Sequence, residues 1–222
     1  MCGRFTIRYT WSEYYEALNL IPAEAKGRND PPRYNVAPTQ QVGYVRQTED
    51  GITVTDGRWW LVPHWAMELT SKWPMFNARS EDAHNKPAFR DAYKWGRCLI
   101  PADGYYEWTK NKDDGKKDPH YIHLPEFQSF MFAGLSAYNK QLDIHSCTIL
   151  TAAAVPEIRT LHNRMPIIMQ PDFFDQWLDP DVSVSTAVEL LNNHRDSELV
   201  SYRVGREVGS SIATGAQLIA AI

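Results

Sequence analysis

A chain of 222 residues, 43% hydrophobic and 23% charged, buries a sizeable core without disulfide staples. Its formal net charge of −4 excludes a protein that coats DNA through bulk positive charge, because non-specific affinity comes from Lys and Arg neutralising phosphates. Three widely spaced cysteines (Cys2, Cys98, Cys147) make neither a disulfide framework nor a zinc site, and no apolar run approaches the roughly 20 residues that span a bilayer.

Thr10–Leu20 predicts a helix, with Thr10 and Glu13 spaced as a capping box and Pro22 beyond its end. Val42–Arg46 and Ile52–Val62 predict strands joined by a turn at Asp50-Gly51. Pro87–Trp95 suits a short helix with proline in its first turn. Arg97–Ile100, Tyr105–Thr109, Tyr121–Leu124, Phe130–Leu135 and Ile144–Thr151 are apolar, β-branched or aromatic runs that predict strands. The polar stretch Lys110–Pro119 reads as a hairpin tip. Helices are expected over Pro156–Leu161, Asp172–Leu178 and Ser185–Asn193, and a last strand over Leu199–Val204. This mixture predicts an α+β fold: a single domain over residues 1–222 with a curved, mainly antiparallel, barrel-like sheet and peripheral helices. Trp59, Trp60, Trp95 and Trp177 are expected in the core. No secretory signal opens the chain, so a cytoplasmic location is expected, or a nuclear one in a cell with a nucleus.

The chemistry starts at Cys2. Its small side chain makes Met1 a good substrate for methionine removal, which leaves an N-terminal cysteine. An α-amine with a pKa of roughly 7.7–8.0 then sits beside a thiol near 8.5. An aldehyde meeting this pair forms an imine with the amine, and the sulfur closes a five-membered thiazolidine. An internal cysteine lacks that route, because its nitrogen is an amide. Gly3 permits close approach of a ligand. Arg4 is placed to hold a phosphate, and Phe5 and Ile7 read as alternate strand residues that anchor the terminus. Glu107, among the aromatics of Gly104-Tyr105-Tyr106-Glu107-Trp108, is a candidate proton donor. His162, in Leu161-His162-Asn163-Arg164-Met165-Pro166, is a candidate proton carrier.

Seven segments then occur in order: Met1-Cys2-Gly3-Arg4-Phe5, Tyr34-Asn35-Val36-Ala37-Pro38-Thr39, Leu61-Val62-Pro63-His64-Trp65, Asn77-Ala78-Arg79-Ser80-Glu81, Arg97-Cys98-Leu99-Ile100-Pro101, Gly104-Tyr105-Tyr106-Glu107-Trp108 and His162-Asn163-Arg164-Met165-Pro166. Together they resemble the SRAP family, named for SOS-response-associated peptidase, over nearly the whole chain. The resemblance implies a sensor and shield of abasic sites in single-stranded DNA. It implies an active site lined by Cys2, Asn77, Glu107 and His162, and a β-rich fold with a positively charged channel. Trp59-Trp60-Leu61 departs from the more usual Trp-Gly-Leu, and Asp82 stands where Thr is common.

On that resemblance Arg4, Arg79 and Arg164 are candidate phosphate contacts. Pro38 and Trp65 are candidates for an apolar wall against flanking bases, and Thr151 for the pocket lining. Strand cleavage by β-elimination from the imine is an expected side activity. The expected partner is single-stranded DNA containing abasic sites, with the replication machinery a candidate associate. No cofactor, metal or membrane partner is expected, and a monomer is the default. Two other functions fit parts of the pattern. A cysteine peptidase that removes Met1 itself would use Cys2, Asn77 and His162. A noncovalent reader of modified or single-stranded bases would bind without any adduct to Cys2.

Overall fold

The computed structural model describes residues 2–18, 28, 30–193 and 199–222. Met1, Leu20 and Pro22 lie outside them, and with them the expected loss of Met1 and the end of the first helix. The strands are β1 (Phe5–Ile7), β2 (Arg33–Val36), β3 (Gln41–Thr48), β4 (Gly51–Trp59), β5 (Asn77–Arg79), β6 (Arg97–Ala102), β7 (Gly104–Lys110), β8 (Lys117–His123), β9 (Phe130–Asn139), β10 (Ile144–Ala153), β11 (Arg164–Pro166), β12 (Ile168–Met169) and β13 (Val200–Arg203). The helices are α1 (Trp11–Leu18), α2 (Arg90–Trp95), α3 (Pro156–Arg159), α4 (Phe174–Leu178) and α5 (Val184–Asn193). This is the mixed α+β fold the sequence predicts.

One sheet runs β10-β4-β3-β6-β9, and β9 pairs again with β10, so these strands close into a barrel with no free edge between them. The β4–β10 closure is parallel, with Ser146 opposite Arg58 and Cys147 opposite Trp59. The other barrel pairings are antiparallel. At the β3–β4 turn Gly51 takes φ 107°, a conformation open to glycine and strained for most other residues. The second sheet runs β13-β8-β7-β1-β2. One hydrophobic cluster joins the two: Phe5 of β1 packs edge-on against Trp59 and Phe132 of the barrel, with ring centroids 4.8 and 5.7 Å apart. Burying such a ring contributes about 1.5–3 kcal/mol, so the N-terminal motif is fixed to the core.

A buried carboxylate ties the same region together. Asp103 accepts hydrogen bonds from Thr6 Oγ1 (2.5 Å), the Arg8 amide (2.6 Å), Arg8 Nε (2.6 Å) and the Tyr14 hydroxyl (3.0 Å). The capping box forms: the Thr10 amide and hydroxyl both donate to Glu13 Oε2, at 2.7 and 2.8 Å.

Several boundaries differ from the sequence reading. The strand expected through Val62 ends at Trp59, because the Leu61 amide turns to the Met75 carbonyl (3.1 Å) and the Val62 amide to Ser146 Oγ (2.9 Å). The helix expected from Pro87 starts at Arg90, after a turn in which the Phe89 and Arg90 amides share the Lys86 carbonyl. Asp172–Leu178 divides into a 3-10 turn over Pro171–Phe173 and α4. Trp59 and Trp177 are in the core and Trp60 is half-buried, but Trp95 is 68% exposed. That tryptophan ends α2, with the Lys94 ammonium 4.4 Å from its ring.

Burial lifts the thiols of Cys98 and Cys147 and the hydroxyls of Tyr14 and Tyr105 above their ordinary values. The folded chain therefore keeps protons that the unfolded chain releases near pH ~8.5 for thiols and ~10 for phenols. Stability from these groups is whole below those values and is lost as pH rises past them. We expect Tm to fall steadily between about pH 8 and about pH 11; a flat profile in scanning calorimetry would show that these groups are not the buried neutral set described.

Candidate active site

The N-terminal strand sets the site. β1 pairs antiparallel with β7, Phe5 opposite Tyr105 and Thr6 opposite Gly104. The Tyr106 amide continues the ladder to the Arg4 carbonyl at 3.0 Å. Cys2 thus lies beside the middle of β7, where Glu107 sits. Both residues are buried. Burial raises the Cys2 thiol above its ordinary value, and the nearby Glu107 carboxylate raises it further. The thiol is therefore protonated at neutral pH, with Sγ donating to the Arg4 carbonyl at 3.6 Å.

Asn77 comes from the barrel. β5 runs parallel to β10, with Asn77 opposite Ile149 and Arg79 opposite Thr151. The buried Asn77 side chain donates from Nδ2 to the Cys2 carbonyl at 2.7 Å. Its Oδ1 is also buried and accepts no hydrogen bond among the described residues. Such an acceptor costs about 1–3 kcal/mol when left unsatisfied, so this amide is shaped for a donor beside Cys2.

His162 belongs to the turn between α3 and β11. Its Nδ1 accepts the Arg164 amide at 3.0 Å. The Arg164 carbonyl stands 3.2 Å from the same Nδ1. Arg164 stands opposite Ala153 of β10 and reaches back to Thr151, donating from Nη2 to its carbonyl at 2.6 Å and to its hydroxyl at 3.3 Å. Thr151 is fully buried and also donates to the Ala78 carbonyl at 3.3 Å. The β5–β10–β11 ladder thereby links Arg164 to Thr151, with His162 held by Arg164, while β1 and β7 set Glu107 near Cys2, whose carbonyl Asn77 holds.

The other expected residues are distributed more widely. Arg4 is half-buried, and Nη2 donates to the Gly209 carbonyl at 3.3 Å, so the C-terminal segment borders the site. Arg79 is exposed and enters no ion pair among the described residues. Pro38 is half-buried in the β2–β3 turn. Trp65 is 55% exposed on the β4–β5 connection. It lines an apolar cavity of about 370 Å³ with Met67, Leu69 and Trp73, the last 70% exposed. Sequence reasoning missed that cavity, the approach of Gly209, and Glu81, which grips Arg164 through both oxygens at 2.6 and 2.8 Å. Glu81 lay inside a quoted motif, two residues after Arg79, where an acid among expected phosphate contacts was the available signal.

Comparison with known proteins adds a chain-wide match. The family described as "SOS response associated peptidase (SRAP)" matches residues 1–211. The abasic site processing protein YoaM of Bacillus subtilis is 33% identical over 99% of this chain and 97% of its own. The abasic site processing protein YedK of Escherichia coli is 30% identical, covering 99% of each chain. A phage-related protein of Bordetella bronchiseptica has a crystal structure that superposes with a TM-score of 0.76 at 29% identity, over 96% of this chain and 99% of that one.

Proposed function

The chain belongs to the SOS response associated peptidase family, and from that membership we propose that it captures abasic sites in single-stranded DNA through a covalent bond to Cys2 once Met1 is removed. The observation that carries the reading is the grip of Asn77 on Cys2: Nδ2 holds the carbonyl at 2.7 Å while the buried Oδ1 has no donor among the described residues. A free α-amine on Cys2 is such a donor. Accepting its N–H, Asn77 would leave the nitrogen lone pair for an incoming carbon.

An abasic deoxyribose equilibrates between a closed hemiacetal and an open aldehyde. Glu107 exchanges the proton needed for ring opening. The amine adds to the aldehyde carbon, water leaves, and an imine remains. The sulfur then bonds to the same carbon, its proton passing to Glu107 and the imine nitrogen ending as the ring amine. One water is lost overall, and nothing is oxidised or reduced. The protonated state of the thiol gives Glu107 this task, since a buried S–H closes the ring only with a base beside it. His162 polarises the sugar oxygen, and it assists β-elimination when the imine is not trapped. Arg4 and Arg79 meet phosphates, and Pro38 and Trp65 stack on flanking bases, a contact worth ~1–3 kcal/mol per base.

The test is a denaturing gel of protein mixed with an oligonucleotide carrying one abasic site, beside the same oligonucleotide with the aldehyde reduced to an alcohol. An adduct is expected with the aldehyde alone. Equal retention of both strands, or of neither, would refute covalent capture.

A further inference from the structure

Three arginines border the site, and they are held differently. Arg4 contacts carbonyls of Gly3 and Gly209, and Arg79 is exposed without an ion pair among the described residues. Arg164 carries a carboxylate. Its side chain is 14% exposed, and Nη1 and Nη2 meet Glu81 Oε1 and Oε2 at 2.6 and 2.8 Å, while Glu81 is 51% exposed. This two-pronged geometry is the one an arginine offers to a phosphate. The two partners differ in exposure. Arg164 is fixed by its strand register opposite Ala153 and by the Thr151 carbonyl at 2.6 Å. The Glu81 carboxylate stands half in water at the end of β5, so its release costs little desolvation.

We propose that Glu81 is a stand-in for a DNA phosphate: it occupies the guanidinium of Arg164 until a strand phosphate displaces it. This rests on the single-stranded DNA reading above and adds a device to it. Arg164 stays folded over Thr151 with its amide on His162 Nδ1, so the site keeps its shape without DNA. A strand gains the Arg164 contact by exchange, which sets Glu81 against loosely bound or isolated anions and favours a polyanion already held at Arg4 and Arg79. The carboxylate is a determinant of binding selectivity, acting through Arg164.

The test measures affinity for a single-stranded oligonucleotide with a reduced abasic site, so that no covalent step intervenes, across a salt series. Glu81→Gln is expected to bind about three- to tenfold tighter at low salt, with a slope of log affinity against log salt steeper by about 0.7, one further phosphate contact. Asp82→Asn, which removes the neighbouring carboxylate paired to Lys86 at 2.8 Å, is expected to leave the slope unchanged. In an Arg164→Gln background, Glu81→Gln is expected to have no effect. Thermal unfolding of each variant, with Glu81→Ala as a second truncation, confirms folding. Weaker binding by folded Glu81→Gln and Glu81→Ala, or an equal gain in the Arg164→Gln background, would overturn the proposal: the acid would then orient Arg164 or act as diffuse charge. Folded wild-type protein that binds no single strand would defeat the DNA reading itself, a result distinguishable from either.

Discussion

Cys2→Ala, with its α-amine freed by loss of Met1, is expected to form no denaturation-resistant adduct while cleaving abasic strands faster than wild type. Alanine keeps the amine and removes only the sulfur. The imine then has no intramolecular nucleophile, so it returns to aldehyde or proceeds to β-elimination. The residue is buried and its thiol makes one long hydrogen bond, to the Arg4 carbonyl at 3.6 Å, so the change costs about 1 kcal/mol of stability and leaves the fold in place. Adduct and cleaved strand are read from one denaturing gel after the amino terminus is verified by mass. An alanine chain that crosslinks like wild type would remove sulfur from the mechanism; one that neither crosslinks nor cleaves above background would count against imine formation.

Glu107→Gln is expected to slow adduct formation by about 10²–10⁴-fold, the usual weight of one positioned acid–base group. Glutamine keeps the shape and loses the proton exchange. The electrostatic consequence has the opposite sign at the sulfur. Glu107 is the second cause, after burial, of the raised Cys2 thiol. Removing its charge lowers the thiol toward its ordinary value, so alkylation of Cys2 at a fixed alkaline pH should speed up. Slower crosslinking with faster alkylation separates proton transfer from thiol reactivity. A glutamine variant that crosslinks at the wild-type rate or faster would show that the carboxylate only restrains the thiol. Single-turnover rates across pH measure both effects.

The parts of this molecule that were legible in sequence are those set by neighbours along the chain. Thr10 and Glu13 predicted their capping box because both partners lie within one turn. The β3–β4 hairpin followed from two apolar runs around Gly51. The polar Lys110–Pro119 stretch does turn, between Lys110 and Lys117, although its last residues pair in β8. What was hidden depends on distant contacts. β5 is three residues long and exists because β10 offers it a parallel edge seventy-odd positions away. The run Gly104–Glu107 is buried at every position, so no alternation marked Glu107 as an interior residue. Glu81 and Arg164 meet across 83 positions. Trp95 was expected inside on its chemistry alone, and its place at the end of a six-residue helix leaves it in solvent.

The candidate site was legible in a different way. The order of short motifs named Cys2, Asn77, Glu107 and His162 without saying how they meet. The strand register accounts for three of them: Phe5 opposite Tyr105 brings the terminus to β7, which carries Glu107, and Asn77 on β5 reaches the Cys2 carbonyl. Arg164, the expected phosphate contact, pairs with Glu81, a contact that charge pattern alone does not reveal.

Intact-mass spectrometry of the purified chain, alone and after mixing with an oligonucleotide bearing one aldehydic abasic site, bears most directly on residue 2. The expected spectra are a chain beginning at Cys2, then a one-to-one species equal to protein plus oligonucleotide less one water. A working chain that still carries Met1, or a mixture in which the two masses stay separate, would contradict the account.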